Sequence, residues 1–211
     1  DYFNPGLTQY NKTHMYQTYD VTSGIKSGKN NAIGAWLSEG WWSGNITFSG
    51  ENWNFFGDRQ SLLSKLVITY ADGSEQVVTS NPTEWKFYGD GPIRYGSFFQ
   101  GEVYDANKEA AVNGWATADY NDAAWKSAVA VPLDGTAFKG TVTDALGRKS
   151  SLEYDDFKLV GQMGENATIV KTLTAKSVEE VRPKVFVYDM TQNMVGVPQI
   201  TIKNGRKGQA I

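Results

Sequence analysis

The sequence LVITYADGSEQVVT, residues 66–79, consists of two β-branched runs that flank an Asp-Gly pair. β-Branched residues favour strands, and Asp-Gly readily adopts the backbone conformation that a tight turn between antiparallel strands requires. The stretch therefore predicts a β-hairpin, with strands at Leu66–Tyr70 and Glu75–Thr79 and a turn at Ala71–Gly73.

Short runs of the same kind recur along the chain between Gly, Asn, Asp and Ser residues. No window of about a dozen residues places apolar side chains at helical spacing without an interrupting Gly or Pro, and only Glu109–Asn113 fits a short helical turn. We therefore expect an all-β protein, a jelly-roll-like β-sandwich followed by a second, incomplete β-sandwich unit. The further strand candidates are Met15–Tyr19, Ala32–Leu37, Trp85–Tyr88, Ala128–Val131, Ile169–Thr174, Val185–Tyr188 and Gln199–Ile202.

The composition excludes several kinds of chemistry. The 211 residues include no cysteine and a single histidine, His14, which removes disulfides, thiolate catalysis and most zinc or triad chemistry. The net charge is −3 and Lys and Arg do not cluster, which argues against a nucleic-acid partner. Apolar runs are far shorter than the roughly 20 residues that cross a bilayer, so no membrane span is expected. Any secretion signal is expected to lie outside this sequence.

Two units are expected from the distribution of tryptophan and charge. All seven tryptophans precede residue 126, and acids outnumber bases up to residue 135 but not after it. The polar stretch between the two units lacks sustained periodicity. The predicted domains are 1–132, a linker or insertion at 133–156, and 157–211.

The densest cluster of chemically interesting residues is Glu39-Gly40-Trp41-Trp42-Ser43-Gly44, after the apolar run Ile33–Leu37. Indole faces can stack on the C–H faces of sugars, and a neighbouring carboxylate can accept hydroxyl hydrogen bonds, so the cluster suits a carbohydrate site. Tryptophans beside glycines also fill cores where the backbone turns closely. Packing and sugar contact both remain open.

Other clusters favour structural roles. Asp58 and Arg59 predict an ion pair. Glu102 and Asp105 could supply carboxylates, but their spacing alone does not make a glycosidase pair. Acidic and amide side chains in Gly114–Trp125 can cap turns or ligate calcium, and capping is the simpler reading. His14 is expected to be a polar strand residue, and Gln192–Gly196 a turn with Asn193 in the left-handed region.

Six segments, taken in order, resemble the bacterial α-L-rhamnosidases, which are large multidomain glycoside hydrolases. No single segment is diagnostic, but their order and approximate spacing agree across nearly the whole chain. The segments are PGLTQY (5–10), YQTYDVT (16–22), EGWWSG (39–44), GDRQSLL (57–63), GEVYDA (101–106) and YDMTQNMVG (188–196).

The resemblance implies that residues up to about 132 form the family's N-terminal β-sandwich and that residues from about 157 begin the following β domain. It further implies hydrolysis by inversion, performed by acidic residues of a later (α/α)6 barrel whose motif is not matched here. The chain is therefore expected to lack catalytic residues, to be inactive alone and to be a piece of a longer protein whose first strand precedes Asp1. The family's usual Trp at the position of Leu7 is replaced.

Three functions are compatible with this resemblance. The chain could help a rhamnose-releasing enzyme to position L-rhamnose-containing carbohydrate or pack on its catalytic barrel, it could be purely structural, or it could be a free-standing carbohydrate-binding module. The candidate carbohydrate-binding residues are Trp41, Trp42, Glu39 and Asp105. No cofactor or metal is expected except calcium, which assists sugar binding in some family members. The resemblance implies a periplasmic or extracellular parent enzyme in a bacterium.

Overall fold

The computed structural model describes residues 4–48, 53–132, 141–143 and 146–211. Short strands dominate these ranges, which confirms the all-β character; the stacking of sheets into a jelly-roll sandwich stays a prediction. The strands are β1 Thr13–Tyr16, β2 Lys65–Thr69, β3 Glu75–Thr79, β4 Lys86–Phe87, β5 Ile93–Ser97, β6 Gly101–Tyr104, β7 Lys126–Ser127, β8 Thr141–Thr143, β9 Lys149–Ser151, β10 Lys158–Gly161, β11 Ser177–Arg182 and β12 Val185–Asp189. Helices are a single α-helical turn, α1 Gly40–Ser43, and 3₁₀ helices at Thr22–Gly24 and Ala106–Val112.

The strands of the described residues pair two by two. β2–β3, β4–β7, β5–β6, β8–β9 and β11–β12 are antiparallel, whereas β1–β10 is parallel. None of the described helices is long and apolar enough to cross a membrane.

The hairpin at residues 66–79 is confirmed. Its register joins Lys65 to Thr79 and Thr69 to Glu75, and Gly73 turns the chain with φ of +82°. The Asp72 carboxylate accepts a hydrogen bond from the Ser74 backbone N–H at 2.9 Å, so the turn is closed by its own side chain.

Other local predictions had mixed outcomes. Met15–Tyr19, Trp85–Tyr88 and Val185–Tyr188 each overlap a strand, and Glu109–Asn113 overlaps the second 3₁₀ helix. The strands predicted at Ala32–Leu37, Ala128–Val131, Ile169–Thr174 and Gln199–Ile202 were wrong. These segments are rich in apolar residues but have no partner in the described ladders, and a strand requires a partner.

The turn after β12 was assigned to the wrong residue. Thr191, and not Asn193, has the left-handed backbone, with φ of +62°. Its backbone N–H donates to the Asp189 carboxylate at 2.7 Å. This bond fixes the turn two residues earlier than the sequence suggested, because the Asp side chain caps the end of the strand.

The chain divides into two compact units, Pro5–Met163 and Gly164–Ile211 together with Asn4. The predicted domain limits (1–132, 133–156 and 157–211) stay a prediction, but the contacts assign residues 157–163 to the first unit. The reason is β10, which pairs with β1 so that His14 lies beside Leu159.

The core of the first unit is aromatic. Its buried apolar side chains are Tyr10, Phe56, Leu152 and Tyr154, and the partly buried side chains packed against them are Trp41, Trp42, Ile46 and Phe55. The candidate cluster predicted from the sequence therefore lies at the edge of this core, which we call the Tyr10 core.

Candidate functional site

The one-turn helix α1 places Glu39 against strand β5. Glu39 Oε2 accepts a hydrogen bond from the Gly96 backbone N–H at 2.9 Å, and the Ser38 hydroxyl donates to the Gly96 carbonyl at 2.9 Å. Gly44 ends the helix where a Cβ atom would lie 2.3 Å from the Gly40 carbonyl oxygen, so only glycine fits. Glu39 therefore anchors α1 to β5.

Trp41 lies over the turn between β5 and β6. Its ring stacks on Phe98 with centroids 5.0 Å apart and planes 23° from parallel, and it meets Phe99 edge-on at 5.3 Å. The side chain is partly buried, whereas Phe98 keeps 53% of its surface exposed. The Phe98–Phe99 pair is not among the residues predicted from the sequence, although two adjacent aromatics shortly before Gly101 are a visible signal.

Trp42 points the other way, into the Tyr10 core. It stacks on Phe56 at 6.3 Å with planes 18° apart, and it lies 6.0 Å from Tyr10 and 6.1 Å from Tyr154, centroid to centroid. Its indole N–H donates to the Arg59 carbonyl at 3.0 Å. A Cβ at Gly57 would lie 2.3 Å from the ring, so the backbone at this glycine closes over the indole. Trp42 is thus held by packing on several sides.

The polar groups around Trp42 are kept uncharged by burial. Desolvation raises the pKa of Tyr10 and of Tyr154 to about 12. Desolvation also lowers the pKa of His14, against a smaller opposing effect of its backbone hydrogen bond at Tyr10. The Tyr154 hydroxyl donates to the Phe56 carbonyl. At neutral pH these buried side chains offer hydrogen-bonding groups and rings.

Asp105 lies away from the other three candidate residues. It is the N-cap of the second 3₁₀ helix and accepts hydrogen bonds from the Asn107 backbone N–H at 3.0 Å and side chain at 2.7 Å. These bonds lower the pKa of its carboxyl. Glu102 lies opposite Gly96, and Asp105 is three positions further along the extended chain, a distance of about 10 Å. The structure brings Glu39, Trp41 and the β5–β6 turn together but not Asp105.

A partly open depression lies beside Trp42. It is lined by Trp42, Phe56, Tyr154, Asp58, Arg59 and Pro132 among others, and it contains about 270 Å³ of empty space, part of which is open to solvent. The predicted ion pair is confirmed at its rim, where Arg59 Nε lies 3.0 Å from the Asp58 carboxylate. This is a small recess between core residues and one charged pair.

A calcium role stays a prediction. Within residues 4–48, 53–132, 141–143 and 146–211, no three His, Cys, Asp or Glu side chains lie together as metal ligands would. In the predicted acidic segment, Asp122 pairs with Lys86 Nζ at 2.7 Å, and the Asn121 side chain accepts from the Ala123 backbone N–H at 3.1 Å. These two side chains are therefore used in capping and pairing.

Known proteins are similar to this chain over nearly its whole length. The α-L-rhamnosidase of Streptomyces avermitilis is 36% identical over 202 residues, which are 96% of this chain and 17% of that protein. The α-L-rhamnosidase of Alteromonas sp. is 35% identical over 209 residues, 98% of this chain and 20% of that protein. The chain thus spans about a fifth of the length of these relatives.

Solved structures and a family model agree with these relatives. The crystal structure of the Streptomyces avermitilis α-L-rhamnosidase complexed with L-rhamnose matches with a TM-score of 0.67 and 33% identity, covering 90% of this chain and 16% of that one. The native α-L-rhamnosidase of Aspergillus terreus matches with a TM-score of 0.52 and 30% identity, covering 69% and 18%. The model of the α-L-rhamnosidase N-terminal domain matches residues 1–149. Because this match covers well over half of the sequence, the chain belongs to the α-L-rhamnosidase N-terminal domain family.

Proposed function

We propose that this chain is the non-catalytic N-terminal part of an α-L-rhamnosidase that releases terminal L-rhamnose from glycans or glycosides. In that enzyme it helps to position the substrate or packs on an (α/α)6 catalytic domain. The proposal is supported by the family membership and by relatives that are about five to six times longer than the matched region.

The observation that carries the non-catalytic role is the engagement of the candidate carboxylates. Glycoside hydrolysis uses two carboxyl groups about 5–9.5 Å apart across the scissile bond. Glu39 is bound to the Gly96 N–H and Asp105 caps a helix, so each carboxylate already stabilises a backbone segment. Each carboxylate therefore has a structural role in its own element.

Sugar contact at Trp41, Trp42, Glu39 and Asp105 remains part of the proposal. Trp41 is the best placed of the four, since its ring lies on the β5–β6 turn beside Glu39. The packing of Trp42 in the Tyr10 core and the capping by Asp105 favour the second candidate function, a purely structural accessory domain.

Calorimetric titration with L-rhamnose, with and without calcium, separates these functions. Heat of binding that disappears in Trp41→Ala supports substrate positioning, and a null result at millimolar sugar supports the structural role. A second assay uses an aryl rhamnoside as substrate, and we expect no hydrolysis by the purified chain. Hydrolysis that co-purifies with the chain would refute the non-catalytic role.

A further inference from the structure

The Asn-Gly pair occurs twice in the sequence, at Asn113-Gly114 and at Asn204-Gly205. Because glycine has no Cβ atom, the backbone nitrogen that follows each asparagine is unhindered and its dihedral angles vary freely. This nitrogen can attack the side-chain amide carbon Cγ of the asparagine when the two atoms meet. Each pair is therefore a candidate for spontaneous conversion of its asparagine, and the surrounding structure decides how easily the two atoms approach each other.

Solvent exposure does not separate the two pairs. Asn113 and Gly114 are exposed, and so are Asn204 and Gly205. Water, which takes part in the second step of the conversion, reaches both pairs equally. Any difference in their reactivity must therefore come from the hydrogen bonds and the packing that restrain the backbone.

Asn113 and Gly114 are the central residues of a closed turn. The Trp115 backbone N–H donates to the Val112 carbonyl at 3.1 Å. Asn113 has φ of −61° and ψ of 125°, and Gly114 has φ of +76°, as in a type II turn. The Gly114 carbonyl accepts from the Thr117 backbone N–H at 3.0 Å and from the Thr117 hydroxyl at 2.8 Å. With this ψ the Gly114 nitrogen lies away from the Asn113 side chain, and the rotation that would bring them together opens the turn.

The ring of Trp115 anchors this turn to the first compact unit. Its centroid lies 6.0 Å from that of Trp36 and 6.4 Å from that of Trp125. A Cβ at Gly34 would lie 2.4 Å from the same ring, so the indole also lies directly on the backbone. The residue whose N–H closes the turn is thus held by packing, and conversion of Asn113 requires a local opening of the structure.

Asn204-Gly205 has none of these restraints. Asn204 has φ of +58°, a region that residues with a side chain seldom adopt. Within the part of the chain that the structure describes, no hydrogen bond involves Asn204 or Gly205, and the turn closed by the Gln209 N–H and the Arg206 carbonyl begins after them. No residue of Gly164–Ile211 is buried. The rotation that brings the Gly205 nitrogen to Asn204 Cγ therefore breaks no bond.

We propose that Asn204 is a site of spontaneous covalent modification, and that the turn at residues 112–115 protects Asn113 from the same reaction. The Gly205 nitrogen bonds to Asn204 Cγ and gives up its proton, while the bond from Cγ to the side-chain nitrogen breaks and ammonia leaves with that proton. Water then opens the resulting five-membered imide at either of its two carbonyl carbons, which yields aspartate or isoaspartate. The net reaction consumes water and releases ammonia, and nothing is oxidised or reduced.

The product changes the charge of a basic segment. Lys203, Arg206 and Lys207 lie beside Asn204, and residues 190–211 contain no Asp or Glu. The conversion therefore introduces the first acidic side chain among these cations. In isoaspartate the chain continues through the former side-chain carbons, which also adds one methylene to the backbone. The inference is independent of the proposed function, because it concerns the chemistry of this chain alone.

The test follows both asparagines while the whole chain is incubated in a mildly alkaline buffer. Samples are digested with a protease that cuts after glutamate, which places Asn113 and Asn204 in different peptides. Mass spectrometry detects the mass gained when an amide becomes an acid, and chromatography separates the aspartate and isoaspartate products. The same incubation in urea gives a reference ratio of the two rates, because the turn at residues 112–115 is lost there.

Two glycine variants form a matched pair. Gly205→Ala hinders the attacking nitrogen, and its added Cβ meets only Ile202 Cγ2 at 3.6 Å, an ordinary contact. Gly164→Ala makes the same substitution away from Asn204, with nothing within 4 Å of the added Cβ. Circular dichroism of each variant verifies that it folds.

In the folded chain we expect Asn204 to convert at least about fivefold faster than Asn113, relative to their ratio in urea, since Asn113 reacts only after local opening. Gly205→Ala should slow the conversion of Asn204 at least about fivefold, because the added Cβ restricts the backbone at the attacking nitrogen. Gly164→Ala should leave the rate unchanged. Equal rate ratios in the folded chain and in urea, or equal rates at Asn204 in the two variants, would overturn the inference.

Discussion

Trp42 and Trp36 are the same residue type six positions apart, yet the structure uses them differently. Trp42 is surrounded by Tyr10, Phe56 and Tyr154, and its N–H is bound to the Arg59 carbonyl. Trp36 touches one ring and is more than half exposed. The comparison teaches that tryptophan density does not mark a binding site by itself. Whether a tryptophan packs in a core or is open to a ligand depends on the burial of its ring and on the partner of its indole N–H.

The largest expected effect is on stability, from removing the better packed of the two rings. Trp42→Ala should lower the free energy of unfolding by about 3 kcal/mol, because it opens a cavity in the Tyr10 core and leaves the Arg59 carbonyl unpaired. Trp36→Ala should cost less than about 1 kcal/mol, since the side chain is largely solvated. Urea denaturation followed by circular dichroism measures both values. Equal losses for the two variants would show that Trp36 is packed as tightly as Trp42.

A smaller effect is expected from a methyl group placed against the ring of Trp115. Gly34→Ala puts a Cβ within 2.4 Å of Trp115, so the indole must move, at a cost of about 1–3 kcal/mol. The near-ultraviolet circular dichroism of the stacked indoles should change with it. Gly91→Ala is the matched control, because nothing lies within 4 Å of its added Cβ. An unaltered spectrum in Gly34→Ala would mean that Trp115 does not rest on this glycine.

Local signals in the sequence predicted local structure well. The hairpin at residues 66–79 was predictable because its strands and its turn are contiguous, so that the register follows from the Asp-Gly pair. The Asp58–Arg59 ion pair and the capping role of acidic residues were predictable for the same reason. Each interaction joins residues within a few positions of one another.

Predictions that depended on distant partners were less successful. Ala32–Leu37 is an apolar run like that of a buried strand, but its Gly34 and Trp36 pack against Trp115, far along the chain, and it joins no described ladder. The sequence pattern indicates an apolar segment, but it does not specify the residues against which this segment packs. Likewise, the cluster at residues 39–44 left packing and sugar contact open, because only tertiary structure separates the directions of Trp41 and Trp42.

The two compact units also show that local sequence patterns do not specify distant partners. In Pro5–Met163, parallel pairing of β1 with β10 brings residues more than a hundred positions apart into the Tyr10 core. In Gly164–Ile211 no residue is buried, and the ladder described there is β11–β12. The apolar residues at Ile169–Thr174 and Gln199–Ile202 take no part in this ladder. The periodicity of a sequence predicts which side chains share a face, but a segment becomes a strand only when it pairs with another strand.

The smallest expected effect is on the pH dependence of stability. It should involve the surroundings of Trp42, where His14 lies, and not those of Trp36. His14 lies among the rings of Tyr10, Trp42 and Phe157, with centroids 5.1, 5.5 and 4.6 Å away, and its buried Nε2 has no hydrogen-bond partner in the described structure. The phenol of Tyr10, which is in ring contact with His14, stays neutral in this range because burial raises its pKa to about 12.

Burial lowers the pKa of His14 below its ordinary value of 6.5, so the unfolded chain takes up a proton first as the pH falls. Stability that is complete above about pH 6.5 should therefore decline as the pH drops toward the lower folded-state pKa. His14→Gln cannot titrate and should show a shallower loss between pH 7 and pH 5, whereas Trp36→Ala should follow the unaltered chain. Urea midpoints measured across this range test the difference. Parallel curves for His14→Gln and the unaltered chain would mean that the aromatic surroundings of His14 admit enough water to solvate the imidazolium.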